Sequence, residues 1–272
     1  MSEILVLGGT GKVGRRIVQR LRAAGRPVRA ASRGGDVPFD LGDPATWPRA
    51  LDGVAAAYLV EPDASPDIDR AARVPALVER AAAAGVRRFV LLTAADVDGR
   101  ADHLHAAARD ALRASGAEWT HLRPDWFAQN FSESFLLDAV RAGTVALPAG
   151  DGRTAFVDAD DIADVAVAAL TEDGHDGRTY TLTGPRSLSF GEAAELIGKA
   201  AGRPVRYVHV EPDAYTARQI EHGVPLAVAR LFTDLFTHLQ DHVGDGVERA
   251  LGRPPRAFED YVTATAATGV WD

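Results

Sequence analysis

The chain has 272 residues, 46% of them hydrophobic and 25% charged, and a formal net charge of −8. An acidic chain lacks the dense cationic face that duplex nucleic acid requires, so nucleic acid is not an expected partner. With no cysteine in the chain, disulfides, thiolate metal sites and cysteine nucleophiles are excluded.

The sequence enters strand-like residues directly at its start, with no basic, apolar leader. No apolar run approaches the roughly 20 residues of a membrane span. A cytoplasmic location with no membrane partner is the expectation. "EILVLGG" reads as a strand buried on both faces. "GKVGRRIVQRLRAAG" reads as a helix, with Val13, Ile17, Leu21 and Ala24 at three- and four-residue steps and Gly25 as its stop. "RPVRAASR" is a second strand, "DVPFDLGD" a short third, "PATWPRALDG" a brief helix or turn, and "VAAAYLV" a fourth strand. "DIDRAARVPALVERAAAAG" is helical, with Pro75 expected to kink it or to sit in its first turn. "VRRFVLLTA", "RADHLHAAARDALRASG" and "AEWTHLRP" supply a fifth strand, a helix and a sixth strand. Apolar strands joined by helical crossovers predict an α/β, Rossmann-type doubly wound parallel sheet.

After Pro124 the rhythm changes. "QNFSESFLLDAVRAG" reads as helix, "TAFVDADD" as strand and cap, "DIADVAVAALTED" as helix and "RTYTLTGP" as strand. "SFGEAAELIGKAAG" is a helix in which Ser189 and Glu192 have capping-box spacing. "RPVRYVHVEP" is a strand, and the chain from Asp213 is largely helical. This predicts a dinucleotide-binding domain over residues 1–130 and a smaller α+β substrate-binding lobe over 131–272, from which segments can return to the sheet.

Gly8, Gly11 and Gly14 fall between the first strand and the first helix, the context of a dinucleotide turn. Glycines there let backbone approach a pyrophosphate, and the helix N-terminus favours the anion. A P-loop is excluded, because Val13 follows Gly11-Lys12 where a hydroxyl should stand and Val6 replaces the first glycine. The turn residues Gly8, Gly9, Thr10, Gly11, Lys12 and Val13 are therefore candidate cofactor contacts, Lys12 as a point charge. The second strand ends in Ser32-Arg33 rather than an acid, which favours the 2′-phosphate of NADP(H) over the ribose diol of NAD. Asp40 and Leu41 stand where an adenine would lie, and Leu59, Val60 and Pro124 at later strand ends complete the cofactor set.

"LVLGGTGKVGRRIVQRLRAAG", "AASR", "FDLGDPATW", "VRRFVLLTA", "LRPDWFAQNF", "FVDADDIADVAVAAL" and "GRTYTLTGP" together resemble the NmrA-like, atypical (extended) short-chain dehydrogenase/reductase group. The similarity is strongest to its bacterial quinone-reductase-like and ergot-alkaloid-protein-like members. The resemblance implies a Rossmann fold, a nicotinamide cofactor and a substrate cleft between lobes. It leaves the activity open among reductases, biosynthetic enzymes and cofactor-sensing regulators.

The ordinary short-chain reductase uses a Tyr-x-x-x-Lys pair. None of Tyr58, Tyr180, Tyr207, Tyr215 and Tyr261 has a lysine four residues later. By resemblance, Thr93 takes the serine position and His105 is a candidate proton donor, with Asp110 five residues on. Trp126 and Phe127 are candidate walls of the substrate site, with core packing as the alternative. "PLAVARLFTDLFTHLQ" either packs against the second lobe or lids an apolar substrate. Asp158, Asp160 and Asp161, at a helix start, read as capping acids rather than metal ligands.

The expected function is an NADP(H)-dependent oxidoreductase, monomer or homodimer, reducing a carbonyl, quinone or conjugated bond of an apolar small molecule such as an aromatic polyketide. The alternatives are a non-catalytic NADP(H)-sensing regulator and a non-redox enzyme, cyclase or epimerase, that keeps the cofactor.

Overall fold

The apolar run at the start forms β1 (Glu3–Leu7), and the periodic stretch after it forms α1 (Lys12–Ala23), burying Val13, Ile17, Val18 and Leu21. This is a computed structural model that describes residues 3–60, 70–93 and 102–272, with backbone alone for 70–72 and 102–105. The chain continues through β2 (Val28–Ser32), β3 (Val37–Pro38), α2 (Trp47–Leu51), β4 (Val54–Val60), α3 (Arg70–Ala83), β5 (Arg88–Leu92), α4 (Asp102–Ala114) and β6 (Glu118–Pro124). Then follow α5 (Asn130–Glu133), α6 (Leu137–Arg141), β7 (Thr144–Leu147), β8 (Arg153–Thr154), α7 (Ala159–Thr171) and β9 (Arg178–Leu182). The last elements are β10 (Leu188–Ser189), α8 (Phe190–Ala200), β11 (Arg206–His209), α9 (Pro212–Glu221), α10 (Leu226–Thr237), α11 (Gly246–Leu251) and α12 (Phe258–Ala266).

Two units divide these elements. The first comprises Met1–Pro124, Ala159–Leu182 and Asp245–Pro254. Its sheet has seven strands in the order β3-β2-β1-β4-β5-β6-β9, every neighbouring pair parallel. The predicted doubly wound sheet is present. Strands β1 and β5 are buried on both faces because helices cover both sides of a parallel sheet. The strand order reverses direction between β1 and β4, and that switch point is where such sheets bind ligands at their C-terminal ends. Pro75 lies inside α3, well past its first turn.

The second unit comprises Asp125–Asp158, Thr183–Gly244 and Pro255–Asp272. It has two small ladders, β8 antiparallel to β10 and β7 parallel to β11. Its core is aromatic: Phe131, Phe156, Phe190 and Phe258 meet at centroid distances of 5.3–5.9 Å. The single helix predicted over "QNFSESFLLDAVRAG" is broken in two, because Ser134 is extended at φ −150°, ψ −158°. The strand predicted over "TAFVDADD" is reduced to β8 and an isolated parallel bridge between Phe127 and Val157. The bridge is made by Ala128 N–H to Val157 O at 2.9 Å and Val157 N–H to Trp126 O at 2.8 Å. The capping box of α8 is present: Glu192 N–H donates to Ser189 Oγ at 3.1 Å and Ser189 N–H to Glu192 Oε2 at 2.7 Å. Among the described residues no helix is long and apolar enough to cross a membrane.

Candidate functional site

The glycine turn is closed by its own backbone. Gly8 has φ +62°, a conformation that glycine adopts without a Cβ penalty, and Gly11 N–H donates to Gly8 O at 2.8 Å. A Cβ on Gly14 would stand 2.1 Å from Gly8 O, and one on Gly9 would stand 2.7 Å from Ala30 Cβ. Neither position has room for a side chain. Val60 presses on the same turn, its Cγ1 3.2 Å from the place of a Gly8 Cβ.

Helix α1 begins on this turn with Gly11 at its N-cap, no side-chain cap and no acid in the first turn. Contrast α8, where Ser189 Oγ accepts from the Glu192 N–H and the first turn holds the Glu192 carboxylate. Among the described residues, the N-terminus of α1 thus presents the positive end of a helix dipole with no side-chain cap and no first-turn acid. That is the setting a pyrophosphate needs, and the cradle leaves the close approach it requires. Lys12 is the first residue of α1 and is half-buried, while Val13 turns into the core.

At the end of β2, the exposed Thr10 donates to Ser32 Oγ at 3.1 Å, tying the glycine turn to the second strand. Arg33 is exposed, and the described residues show no ion partner for it. The nearby acid, Asp36, is already committed. It accepts from Ala30 N–H at 3.0 Å and from Arg22 at 2.8 Å, and these bonds, the backbone one foremost, hold its carboxyl below the usual carboxylate range. An anion binding here meets Arg33, Ser32 and Thr10 without competition from Asp36.

Asp40 is exposed, with one carboxylate oxygen accepting from Gly42 N–H at 2.8 Å. Leu41 packs half-buried against the core, and the Leu59 side chain is inside it at 1% exposure. Pro124 is buried at the end of β6, paired with Leu182. Any contact of Leu59 with a ligand is therefore through its backbone.

Thr93 immediately follows β5. Its N–H donates to Leu122 O at 3.1 Å, and its hydroxyl lies 2.8 Å from His121 Nε2 on β6, both side chains buried. His105 lies in the first turn of α4, and its side chain is outside the described residues. Asp110 is exposed and pairs with Arg113 at 3.6 Å.

In the second unit Trp126 stacks on Phe236 with centroids 4.9 Å apart and planes at 28°, and meets Phe190 and Phe135 edge-on at 5.8 and 6.4 Å. Phe127 holds the bridge to Val157. Helix α10 buries Ala229, Thr233 and Phe236 within this unit, while Leu226, Leu231 and Leu235 are exposed. Asp125, directly before Trp126, is a half-buried acid. Its Oδ1 accepts from Trp126 N–H at 2.8 Å, and its Oδ2 is sealed from solvent. Burial pushes its pKa up to about 6, against the opposing pull of the Trp126 N–H, the Thr154 hydroxyl and the charge of His242.

Asp160 and Asp161 stand in the first turn of α7, and the acids there form ion pairs. Asp160 pairs with Arg16 at 3.3 Å and Arg20 at 2.5 Å, Asp164 with Arg20 at 2.6 Å, and Arg253 joins Asp161 and Asp164 at 2.7 Å each. Asp158 accepts from Gln129 Nε2 at 2.8 Å.

The NmrA-like family matches residues 1–265, almost the whole of this layout. The chain belongs to the NmrA-like family. Among curated relatives, this NmrA-like protein is 38% identical over 277 residues to the (4-alkanoyl-5-oxo-2,5-dihydrofuran-3-yl)methyl phosphate reductase of Streptomyces griseus, covering 95% of this chain and 96% of that protein. It is 34% identical over 285 residues to the NAD(P)H azoreductase of Xenophilus azovorans, covering 97% and 98%. Its fold is shared with the triphenylmethane reductase of Citrobacter sp., solved with NADP(H), at a TM-score of 0.78 and 21% identity over 97% and 99% of the two chains.

Two polar groups of this NmrA-like protein escape a reading of its sequence, His121 and Asp125. Each had a signal: a histidine within an apolar strand, and an acid set between a proline and a tryptophan. One prediction separates the two units. Trp126→Ala removes a half-buried indole from the aromatic cluster and is expected to lower stability by about 2–3 kcal/mol. It should leave NADPH affinity, measured by nicotinamide fluorescence, within twofold of the parent.

Proposed function

We propose that this NmrA-like protein is an NADP(H)-dependent oxidoreductase that reduces a carbonyl, quinone or conjugated bond of an apolar small molecule. The observation that carries the reading is the N-terminus of α1, without a side-chain cap, on a side-chain-free glycine cradle that Thr10 ties to Ser32, the neighbour of Arg33. Two relatives that are more than 30% identical and are named as reductases support the redox half of it.

When bound, the nicotinamide supplies the hydride. The N–H groups of the Gly8–Val13 turn hold the pyrophosphate, and Lys12 adds charge. Ser32 and Arg33 take the 2′-phosphate, Asp40 and Leu41 the adenine, and Val60, the Leu59 backbone and Pro124 line the way to the sheet's C-terminal edge. Thr93, at that edge beside β5, offers its hydroxyl to the polar atom of the substrate bond, and His121 beneath it fixes where the hydroxyl points. Trp126 and Phe127 give the second unit an aromatic face suited to a planar, apolar substrate.

Arg33→Ala tests the cofactor assignment. Loss of a charge-assisted contact to the 2′-phosphate is expected to weaken NADPH binding about 10- to 100-fold and NADH binding less than threefold. Equal losses for the two nucleotides would remove Arg33 from the site. Turnover is tested with NADPH against a panel of quinones, ketones and azo dyes, by loss of nicotinamide absorbance.

A further inference from the structure

The geometry points to Arg73 as a further cofactor-binding residue, one that reads the adenine base together with Asp40; this deepens the cofactor half of the reading above and rests on it.

Its position follows from the turn after β3. Phe39 N–H donates to Ser32 O at 3.2 Å, and Ser32 Oγ accepts the Thr10 bond, so the chain leaves β3 beside the strand end that is tied to the glycine turn. The residues that follow are held in place. Asp40 N–H donates to Thr46 Oγ1 at 3.1 Å, Trp47 Nε1 to Asp40 O at 3.1 Å, and Gly42 N–H to Asp40 Oδ1 at 2.8 Å. Helix α3 is anchored by Val74 and Leu77, each 1% exposed, in the same core on which Leu41 packs. Arg73 directly precedes Val74, and its side chain reaches the turn. A Cβ on Gly42 would stand 3.3 Å from Asp40 Oδ1, 3.5 Å from Arg73 Nη1 and 3.7 Å from Arg73 Cζ. A guanidinium pointing tip-first would hold Cζ about 1.3 Å beyond Nη1. The two distances are nearly equal, so the guanidinium lies flank-on to Gly42.

A carboxylate and a guanidinium thus converge on one exposed turn of the first unit. An adenine edge presents an amine donor beside a ring-nitrogen acceptor. Asp40 takes the amine, and an Arg73 N–H bonds the ring nitrogen; each group alone matches half of the edge. The guanidinium carries several donors in a fixed plane and stays charged at every working pH, so it can rest on Gly42 and still offer an N–H to the base. Arg73 is half-buried, which restrains it before the ligand arrives and lowers the ordering cost of the contact. The two arginines then answer to different parts of the cofactor. Arg33 takes the 2′-phosphate, which only NADP(H) has, and Arg73 takes the base, which NAD(H) and NADP(H) share.

That division sets the test. Arg73→Met keeps the reach of the side chain and removes its donors. It is expected to weaken NADP+ and NAD+ binding, measured by titration calorimetry, by the same factor of about 5- to 30-fold. Arg73→Lys, which keeps a donor, should recover part of the loss. The 1,N6-etheno analogue of NADP+ carries a bridge over the amine edge. The parent should bind it about 10-fold more weakly than NADP+, and Arg73→Met should cost it less than about threefold, because the contact is already gone. An arginine that merely props the turn would lower the melting temperature and leave all three affinities of Arg73→Met within about twofold of the parent, which overturns the proposal. A loss confined to NADP+ overturns it by placing Arg73 on the 2′-phosphate. An equal loss for NADP+ and its etheno analogue overturns it by placing Arg73 on the pyrophosphate or a ribose. If Arg73→Met does not fold, the parent decides: equal affinity for NADP+ and its etheno analogue overturns the proposal and leaves the cofactor reading intact. A parent that binds neither NADP+ nor NAD+ overturns the cofactor reading and this proposal with it.

Discussion

Gly14→Ala is expected to abolish NADPH binding and to destabilise the first unit by several kcal/mol. The added Cβ would lie 2.1 Å from Gly8 O, 2.7 Å from Gly8 C and 3.0 Å from Gly9 Cα. All three are backbone atoms, so no rotamer change relieves the contact, and α1 must move away from the turn that presents its N-terminus. Overpacking of this kind costs about 1–3 kcal/mol in an adaptable core and more against fixed backbone. The same movement pulls the N–H donors out of place for a pyrophosphate, so affinity should fall by about 10²-fold or beyond. Gly34→Ala is the control: nothing lies within 4 Å of its Cβ, and both stability and affinity should hold. Thermal melts and nicotinamide fluorescence read both effects.

Arg253→Met is expected to cost about 3 kcal/mol, since it removes a partner from Asp161, whose side chain is fully buried. Arg253 also pairs with Asp164, so one guanidinium holds two acids of α7 to the segment that follows α11. The double variant Arg253→Met, Asp161→Leu should recover part of the loss, because no buried charge is then left behind. On the same helix, burial alone would raise the Asp160 carboxyl, but the Arg20 hydrogen bond and the charges of Arg16 and Arg20 outweigh it and hold it below its ordinary value. A lowered carboxyl stabilises the fold above its unfolded-state pKa and loses that contribution as pH falls through the lowered one. Denaturant midpoints should therefore drop between pH 5 and pH 3 (about one pH unit either side of an ordinary carboxylate), and the drop should shrink in Arg20→Met.

The sheet was open to a sequence reading because its signals are local. Both faces of β1 and β5 are apolar over consecutive residues, and the crossovers carry their own periodicity and stops. The glycine turn is likewise local: Gly8, Gly11 and Gly14 stand three residues apart between a strand and a helix. The α8 capping box could be read from Ser189 and Glu192, three residues apart. What sequence leaves hidden is pairing at a distance. Thr93 and His121 meet only because β5 and β6 are in register, and Arg20 meets Asp160 across 140 residues. Asp125 shows the same limit from another side: the letter D announces an acid, while the burial that changes its chemistry belongs to the folded unit. The single bridge at Val157 arises from backbone hydrogen bonds to Trp126 and Ala128, far away in sequence, that no propensity encodes.

The division of the chain has a practical consequence. Each unit is assembled from three separate segments, and the backbone passes from one to the other five times. A gene fragment ending at Pro124 would carry the nucleotide turn but lack β9, α7 and α11, leaving one edge of β6 bare. A protease cut at any single junction would release neither unit. Exchanging the second unit for that of a relative requires five splice points. Changes of substrate preference are therefore more accessible by point substitution at residues such as Trp126 than by recombination of whole blocks.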